Sequence, residues 1–349
     1  MDIKQYRVSG SAEMDRLGEL SYRFIAHLIG LLMGFESLLL CSCCCVSLIY
    51  GEKDMMSFVI SFAICLSASA LLMVIGQKKK SAISRYEGYI VVGLSWVFFT
   101  IFGMLPYLIG GYIPSVTDAF FETMSGFTTT GATILDNIES MPHGILFWRS
   151  LTQWIGGLGI VFFTIVLMPG FGASSQMLYL SEATGVTHNK LYPKTRVMAR
   201  YIFVVYILLT AIESVLLKIG GMSLYDAICH SMTTTATGGF STKQESIAYW
   251  HSSYIEYVVS GFMLLSAINF SLYIVACKGG WKQIWKNAEL KWFACSVGVL
   301  TLVITAALIQ NNNYGIEEAI RKSLFQVATC HTSCGFAIDD YNWWPPFTW

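Results

Sequence analysis

Charged residues are scarce in this 349-residue sequence. Asp, Glu, Lys and Arg make up 13% of it, against roughly 25% in soluble domains. Hydrophobic residues make up 54%, and the mean hydropathy is +0.56. This composition excludes an ordinary soluble domain and predicts an integral membrane protein. The net charge is zero, so the sequence predicts no nucleic-acid partner, because binding to phosphates requires an excess of basic residues.

Other common signals are also lacking. The first 20 residues are polar and of mixed charge, so they lack the basic n-region and small-residue cleavage site of a signal peptide. Most of the ten cysteines lie inside apolar stretches, which favours packing residues over a disulfide framework. No HExxH motif, Ser/His/Asp set or paired carboxylates stand at a catalytic spacing. The sequence therefore predicts neither an enzyme nor an organic cofactor.

Long apolar runs are abundant. A helix that crosses a bilayer needs about 20 predominantly apolar residues. Seven runs approach or exceed this length, which predicts about seven membrane spans. They are Phe24–Ile49, Phe58–Ile75, Gly88–Tyr112, Ile145–Met168, Tyr201–Ile219, Tyr254–Ala276 and Trp292–Ile309.

Three shorter helical segments lie between the spans, at Val116–Gly126, Leu224–Thr234 and Ile316–Thr329. Each is too short and too polar to cross a membrane. Such segments are typical of re-entrant helices that are buried in protein and do not face lipid. The predicted fold class is therefore an all-α integral membrane protein built from a repeated unit of span, short helix, loop and span.

A threonine-glycine motif follows each short helix. The motifs read FFETMSGFTTTGATIL, SMTTTATGGFS and VATCHTSCGFAI, at Phe120–Leu135, Ser231–Ser241 and Val327–Ile338. Aligning their glycines makes Gly131, Gly238 and Gly335 equivalent. A motif that recurs at this scale indicates a repeated structural unit.

Basic residues concentrate in alternate loops. Residues 77–85, 170–200 and 278–291 hold most of the lysines and arginines outside the N-terminal segment, whereas the opposite connections hold few, such as Lys53 and Lys243. By the positive-inside rule the basic loops face the cytoplasm. The N-terminus is then inside, and all three threonine-glycine loops open toward the outside.

Three such loops on one side of a membrane are suited to binding a cation. Backbone carbonyl oxygens can replace the hydration shell of an ion, and glycine permits the unusual dihedral angles that turn them inward. Each short helix ends at its loop, so its partially negative C-terminus favours a cation. A single loop of this kind is equally compatible with an ordinary threonine-rich turn, but three in register favour a selectivity filter.

The chain resembles the Trk/Ktr potassium transporter family, and most closely its TrkH type. The residues that carry the resemblance are the first motif, the span WRSLTQWIGGLGIVFFTIVLMP at Trp148–Pro169, the segment HSMTTTATGGFST at His230–Thr242, and the leading helix pair Phe24–Ile75. The resemblance implies four units of span, pore helix, filter loop and span around one pore. The residues implied to contact the ion are Thr129, Thr130, Gly131, Ala236, Thr237, Gly238, Ser333, Cys334 and Gly335.

The resemblance also implies a function and partners. It implies potassium uptake across a bacterial cytoplasmic (inner) membrane, with potassium as the transported ion. It further implies a lipid-embedded homodimer that is gated by a cytoplasmic, TrkA-type nucleotide-binding regulatory subunit. The chain then divides into a leading segment, three units with the third incomplete, and a cytoplasmic linker after the first unit. Their boundaries are 1–85, 86–170, 171–200, 201–290 and 291–349.

A fourth unit is not present in the sequence. We therefore expect a C-terminally incomplete record of a longer product. The alternatives are a truncated, non-conducting membrane remnant or scaffold, and a sodium-permeable relative.

Glu36, Glu122 and Glu213 are among the acidic residues within the apolar or short-helix segments, where ionisable groups are functional candidates. We expect Glu122 to tie its short helix to neighbouring backbone and Glu36 to serve in helix packing. For Glu213 the sequence leaves open a pairing with Arg149 or with Lys218.

Overall fold

The computed structural model describes residues 21–76, 85–159, 195–312 and 314–345. The predicted cytoplasmic segments 1–20, 77–84 and 171–194 lie outside these ranges. Within these ranges, the regular elements other than short 3-10 helices are all α-helices. They are α1 Tyr22–Tyr50, α2 Met55–Ile75, α3 Arg85–Gly103, α4 Leu105–Ile109, α5 Val116–Phe127, α6 His143–Leu158, α7 Thr195–Ile219, α8 Leu224–Thr235, α9 Ser253–Ala267, α10 Phe270–Cys277, α11 Trp281–Lys286, α12 Ala288–Asn312 and α13 Ile316–His331.

Helices α1 and α2 form a closely packed pair. The chain reverses at Gly51, which adopts a left-handed conformation (φ 66°) after α1. The helices approach closely at Gly30, where the Ser69 hydroxyl donates a 2.6 Å hydrogen bond to the Gly30 carbonyl. Small residues that allow such an approach are typical of helix contacts within membranes.

Five stretches are long and apolar enough to cross a membrane in the described part of the chain. They are Tyr22–Tyr50, Met55–Ile75, Glu87–Ile109, Ala199–Ile219 and Ala288–Gln310. Each coincides with a predicted span. The predicted span Ile145–Met168 begins as α6, but residues 160–168 lie outside the described ranges.

The predicted span Tyr254–Ala276 is not one straight helix. Helices α9 and α10 meet at an angle of 92°. Ile268 is extended, and the Asn269 side chain accepts a hydrogen bond from the backbone N–H of Ser271. Asn269 therefore starts a new helix inside an apolar run, which hydropathy alone does not reveal.

The short helices α5, α8 and α13 lie where the sequence predicts re-entrant segments. Helix α5 packs between α3 and α6, α8 packs against α7 and α9, and α13 packs against α12 and α9. Helix α6 also contacts α8. These contacts join successive units, so that the loops after the short helices come together.

The α1–α2 turn is attached to the start of α6. The Glu52 carboxylate accepts the backbone N–H of His143 at 2.6 Å and lies 2.8 Å from the His143 ring nitrogen Nδ1. His143 stacks on Tyr50 with a centroid distance of 3.9 Å. An acidic group at a helix N-terminus satisfies a free donor and interacts favourably with the helix dipole.

We predict that Glu52→Ala lowers stability by about 1 kcal/mol, the usual effect of losing a helix cap. The partly exposed ion pair itself contributes little because solvent screens it. Thermal unfolding in detergent should show a lower midpoint for Glu52→Ala, whereas Lys53→Ala at the neighbouring exposed position should be unchanged. Equal midpoints for the two variants would contradict this role of Glu52.

Candidate functional site

The three short helices begin in similar ways. The hydroxyls of Ser115 and Ser223 accept the backbone N–H groups of Asp118 and Asp226, which caps α5 and α8. Helix α13 begins after Gly315, whose backbone is extended in the same way. Serine N-caps followed by an acidic first turn are a strong local signal for a helix start.

Each short helix ends in the same backbone turn. One residue after the C-cap adopts a left-handed conformation, at Thr129 (φ 54°), Thr237 (φ 52°) and Ser333 (φ 57°). Its N–H bonds to the carbonyl three residues earlier, and the next N–H bonds to the carbonyl five residues earlier. A β-branched residue at positive φ is strained and persists only where its surroundings enforce it. Two threonines and a serine in this state mark the three loops as equivalent.

A glycine with positive φ follows two residues later in each loop. These glycines are Gly131 (φ 75°), Gly239 (φ 76°) and Gly335 (φ 88°). The backbone equivalent of Gly131 is therefore Gly239, and the alignment of Gly238 with Gly131 was wrong by one residue. Two consecutive glycines stand in this motif, so sequence alone does not fix which of them takes the strained position.

The three loops touch one another at these glycines. We define them as the first loop (128–133), the second loop (236–241) and the third loop (332–337). A Cβ atom built on Gly131 would overlap the carbonyl oxygen of Gly238, and one built on Gly239 would overlap that of Cys334. The Cβ position on Gly131 also lies 3.7 Å from the Cys334 carbonyl oxygen. All three loops therefore meet within a few ångströms.

The second loop lies between the other two. Its residues are all buried or half-buried, whereas the first and third loops include exposed residues such as Thr130 and Gly335. No described atom outside its own segment lies within 4 Å of a Cβ built on Gly335. In the described part of the chain, the first and third loops therefore leave one side of the assembly open.

Hydroxyl groups of the short helices hold the loops in place. The Ser125 hydroxyl donates to the Ala132 carbonyl at 2.6 Å, and the Thr329 hydroxyl donates to the Phe336 carbonyl at 2.9 Å. The two bonds are equivalent in the first and third units. They satisfy the backbone carbonyl that follows each of these two strained glycines.

A buried ion pair supports the first loop. Arg149 Nε of α6 lies 2.8 Å from the Glu122 carboxylate of α5, and the side chains are 1% and 0% exposed. Glu122 also accepts the Thr133 hydroxyl and the backbone N–H of Ile134. Glu122 thus ties its helix to the outgoing backbone, as the sequence predicted.

Arg149 also reaches the second loop. Its Nη1 donates to the Ser241 carbonyl at 3.2 Å, and its guanidinium lies 4.2 Å from the centroid of the Phe240 ring. One turn further along α6, Gln153 donates to the Gly238 carbonyl at 2.7 Å and accepts the Phe240 N–H at 3.0 Å. Helix α6 of the first unit therefore positions the loop of the second.

The third loop is supported by a different set of charges. Lys322 of α13 lies 2.8 Å from the Asp339 carboxylate, and Arg321 pairs with Glu256 of α9. Burial would raise the pKa of the Asp339 carboxyl, but the hydrogen bond and charge of Lys322 outweigh it and hold the pKa below its usual value. Asp339 therefore stays ionised and keeps the segment after the third loop attached to α13.

Sequence reasoning missed Gln153 and did not assign a role to Arg149 in the loops. The two residues are four apart on one helix, so they share a face. A polar pair of this kind within an apolar run is a usable signal, because charged groups in a membrane almost always face the protein interior. Arg149 bonds to Glu122. Neither oxygen of Glu213 has a hydrogen-bond partner among the described residues, so the structure shows Glu213 paired with neither Arg149 nor Lys218.

Some carbonyl oxygens of the loops accept hydrogen bonds from side chains, and others are left free to bind an ion. The carbonyls of Ala132, Gly238, Phe336 and Ser241 accept hydrogen bonds from side chains. The carbonyls of the left-handed residues Thr129, Thr237 and Ser333 accept no hydrogen bond from the residues that the structure describes. Oxygen-only surroundings of this kind are chemically suited to a hard monovalent cation.

Comparison with known proteins identifies the family. The sequence model of the TrkH family, described as "Cation transport protein", matches residues 54–349. The chain belongs to the TrkH family. It is therefore a multi-pass membrane protein of a cation transport family.

Individual relatives agree with this assignment. The Trk system potassium uptake protein TrkH of Escherichia coli is 34% identical over 330 residues, which cover 93% of this chain and 68% of the relative. TrkH of Halomonas elongata is 32% identical over 333 residues, with the same shares. The crystal structure of the potassium transporter TrkH from Vibrio parahaemolyticus matches with a TM-score of 0.82 at 33% identity, covering 94% of this chain and 68% of that one. The all-helical fold is thus that of a TrkH transporter.

We predict that Arg149→Met destabilises the protein by about 3–5 kcal/mol, because it leaves the Glu122 carboxylate buried without a counter-charge. The double variant Arg149→Met/Glu122→Gln should recover part of this loss, since it also removes the orphaned charge. Thermal unfolding in detergent measures both effects. Arg200→Met, at an exposed arginine of α7, is the control and should behave like the parent.

If Arg149→Met and Arg200→Met unfolded at the same temperature, the Arg149–Glu122 pair would not hold the first two loops together as described.

Proposed function

We propose that the chain forms the ion-conducting part of a potassium uptake system, with the three loops acting as its selectivity filter. The observation that carries the proposal is the meeting of three equivalent strained turns, each placed at the end of a short helix. The names of the relatives, as Trk potassium uptake proteins, support potassium as the ion.

In the second loop, the residues that we assign to ion contact differ from those suggested by the sequence. Ala236 ends α8, and the Gly238 carbonyl receives the Gln153 amide. In this loop we therefore assign ion contact to Thr237 and Gly239. In the other two loops the assignment stays as the sequence suggests, with Thr129, Thr130 and Gly131 in the first and Ser333, Cys334 and Gly335 in the third.

The mechanism follows from electrostatics. A potassium ion that enters from outside exchanges water for the carbonyl oxygens of the loops. The C-terminal ends of α5, α8 and α13 add partial negative charge at the same place. Inward movement is driven by the membrane potential, which supplies about 2.3 kcal/mol per charge per 100 mV.

The wider setting is also a proposal. We place the N-terminus and the basic loops in the cytoplasm of a bacterial inner-membrane protein, and we keep the division into one leading segment and three units. Lys282 and Lys286 are exposed on α11, in the loop before α12, and Lys291 is exposed in the first turn of α12. This loop and the linker 171–200 are the surfaces we assign to a TrkA-type nucleotide-binding subunit, on a homodimeric transporter.

We predict that Gly131→Ser and Gly239→Ser in the complete transporter sharply reduce the preference for rubidium over sodium uptake. Both glycines combine positive φ with close approach to a neighbouring loop, so a side chain must displace a carbonyl oxygen. Uptake is measured in bacteria that lack other potassium uptake systems.

Gly221→Ser is the matched control for this experiment. Gly221 also has positive φ, but a Cβ there meets no atom within 4 Å, so selectivity should be kept. Unchanged selectivity in the Gly131 and Gly239 variants would count against the filter. A parent protein that takes up sodium as readily as rubidium would replace potassium by sodium in the proposal.

A further inference from the structure

Glu213 is a buried carboxylate that has no role in the proposed filter as described so far. It lies on α7 and is 0% exposed. Neither of its oxygens has a hydrogen-bond partner in the part of the chain that the structure describes. Arg149, a candidate partner from the sequence, is instead bonded to Glu122. A charge in this position has no compensating group among the described side chains around it.

The location of Glu213 is fixed by two contacts between α7 and α8. One turn before it, the Thr210 hydroxyl bonds to the Thr235 hydroxyl at 3.2 Å. Directly after it, the Ser214 hydroxyl bonds to that of Ser231. Glu213 is therefore on the face of α7 that contacts α8, near the end of α8 where the second loop begins.

The carboxylate lies close to the C-terminal end of α8. The hydroxyls of Thr234 and Thr235, the last residues of α8, lie beside it but outside hydrogen-bonding geometry. The carboxyl group is also close enough to the buried Cys334 thiol of the third loop to interact with it electrostatically. Glu213 thus lies near both the second and the third loop, which contact each other at Gly239 and the Cys334 carbonyl.

An ionised Glu213 carboxylate would require a positive charge nearby. An ionised carboxylate in a membrane interior is unfavourable unless a positive charge lies near. The C-terminal end of α8 makes the site more negative still. A cation held by the second and third loops would supply a positive charge near Glu213. The ion and the carboxylate then stabilise each other, and this coupling is reciprocal.

We propose that the Glu213 carboxylate determines the affinity of the loops for a monovalent cation. It does not touch the ion, but acts through the second and third loops as a fixed charge near them. This inference rests on the proposed function, because it assumes that the loops bind the transported ion.

The test is the concentration dependence of rubidium uptake by the complete transporter. Glu213→Gln keeps the shape and hydrogen-bonding capacity of the side chain but removes its charge. It should raise KM by about 10-fold, within the usual range of coupling between sites, and change the maximal rate little. Glu213→Asp keeps the charge and should retain a KM close to that of the parent.

Glu36→Gln is the matched control. Glu36 is also 0% exposed and has an unpartnered oxygen, but it lies in the leading helix pair beside the Cys65 thiol. Its neutralisation should leave KM unchanged. A side chain that acts only through packing would tolerate glutamine at position 213 equally well, so the comparison separates charge from structure.

An identical KM for Glu213→Gln and the parent would overturn the inference while leaving the filter proposal intact. A parent protein without rubidium uptake would instead remove the proposed function itself. If Glu213→Gln does not fold, as judged by size-exclusion chromatography, Glu213→Asp and Glu213→Asn provide the same comparison between a charged and a neutral side chain. Equal KM values in that pair would likewise overturn the role of Glu213.

Discussion

The close approach of backbone to backbone at Gly131 and Gly239 is the constraint on which the rest of the structure depends. At both positions a carbonyl oxygen of the next loop occupies the space that a Cβ atom would need. Irregular backbone at membrane depth is tolerated only where protein or a water-filled cavity satisfies it. The short helices, the strained threonines and the buried polar side chains can all be understood as the means of holding this contact.

The supporting side chains differ between the units although the loops are alike. The first unit uses Glu122 and Arg149, the second receives Gln153 from the first, and the third relies on Lys322 and Asp339. Each set satisfies buried polar groups near one loop, and α6 links two of them. The loops thus form one connected assembly, and a substitution that disturbs one loop should also displace the loop of the neighbouring unit.

Much of this arrangement is visible in the sequence. The predicted segments Val116–Gly126 and Leu224–Thr234 end within one residue of α5 and α8, because serine caps and the following motif mark both ends. Three features were not predictable. First, either Gly238 or Gly239 could take the positive-φ position, and the sequence does not show which one does. Second, the partner of Glu122, Arg149, lies on another helix. Third, the bend before Asn269 occurs within a continuous apolar run. All three depend on contacts between distant segments, which local pattern does not encode.

The proposed filter requires that the three loops bind one ion together. It is tested most directly by determining a structure of the complete transporter crystallised with rubidium and locating the ion by anomalous scattering. We expect a peak within coordination distance of the carbonyl oxygens of Thr129, Thr237 and Ser333. A well-diffracting crystal with these carbonyls turned away from one another, or with the ion bound elsewhere, would contradict it.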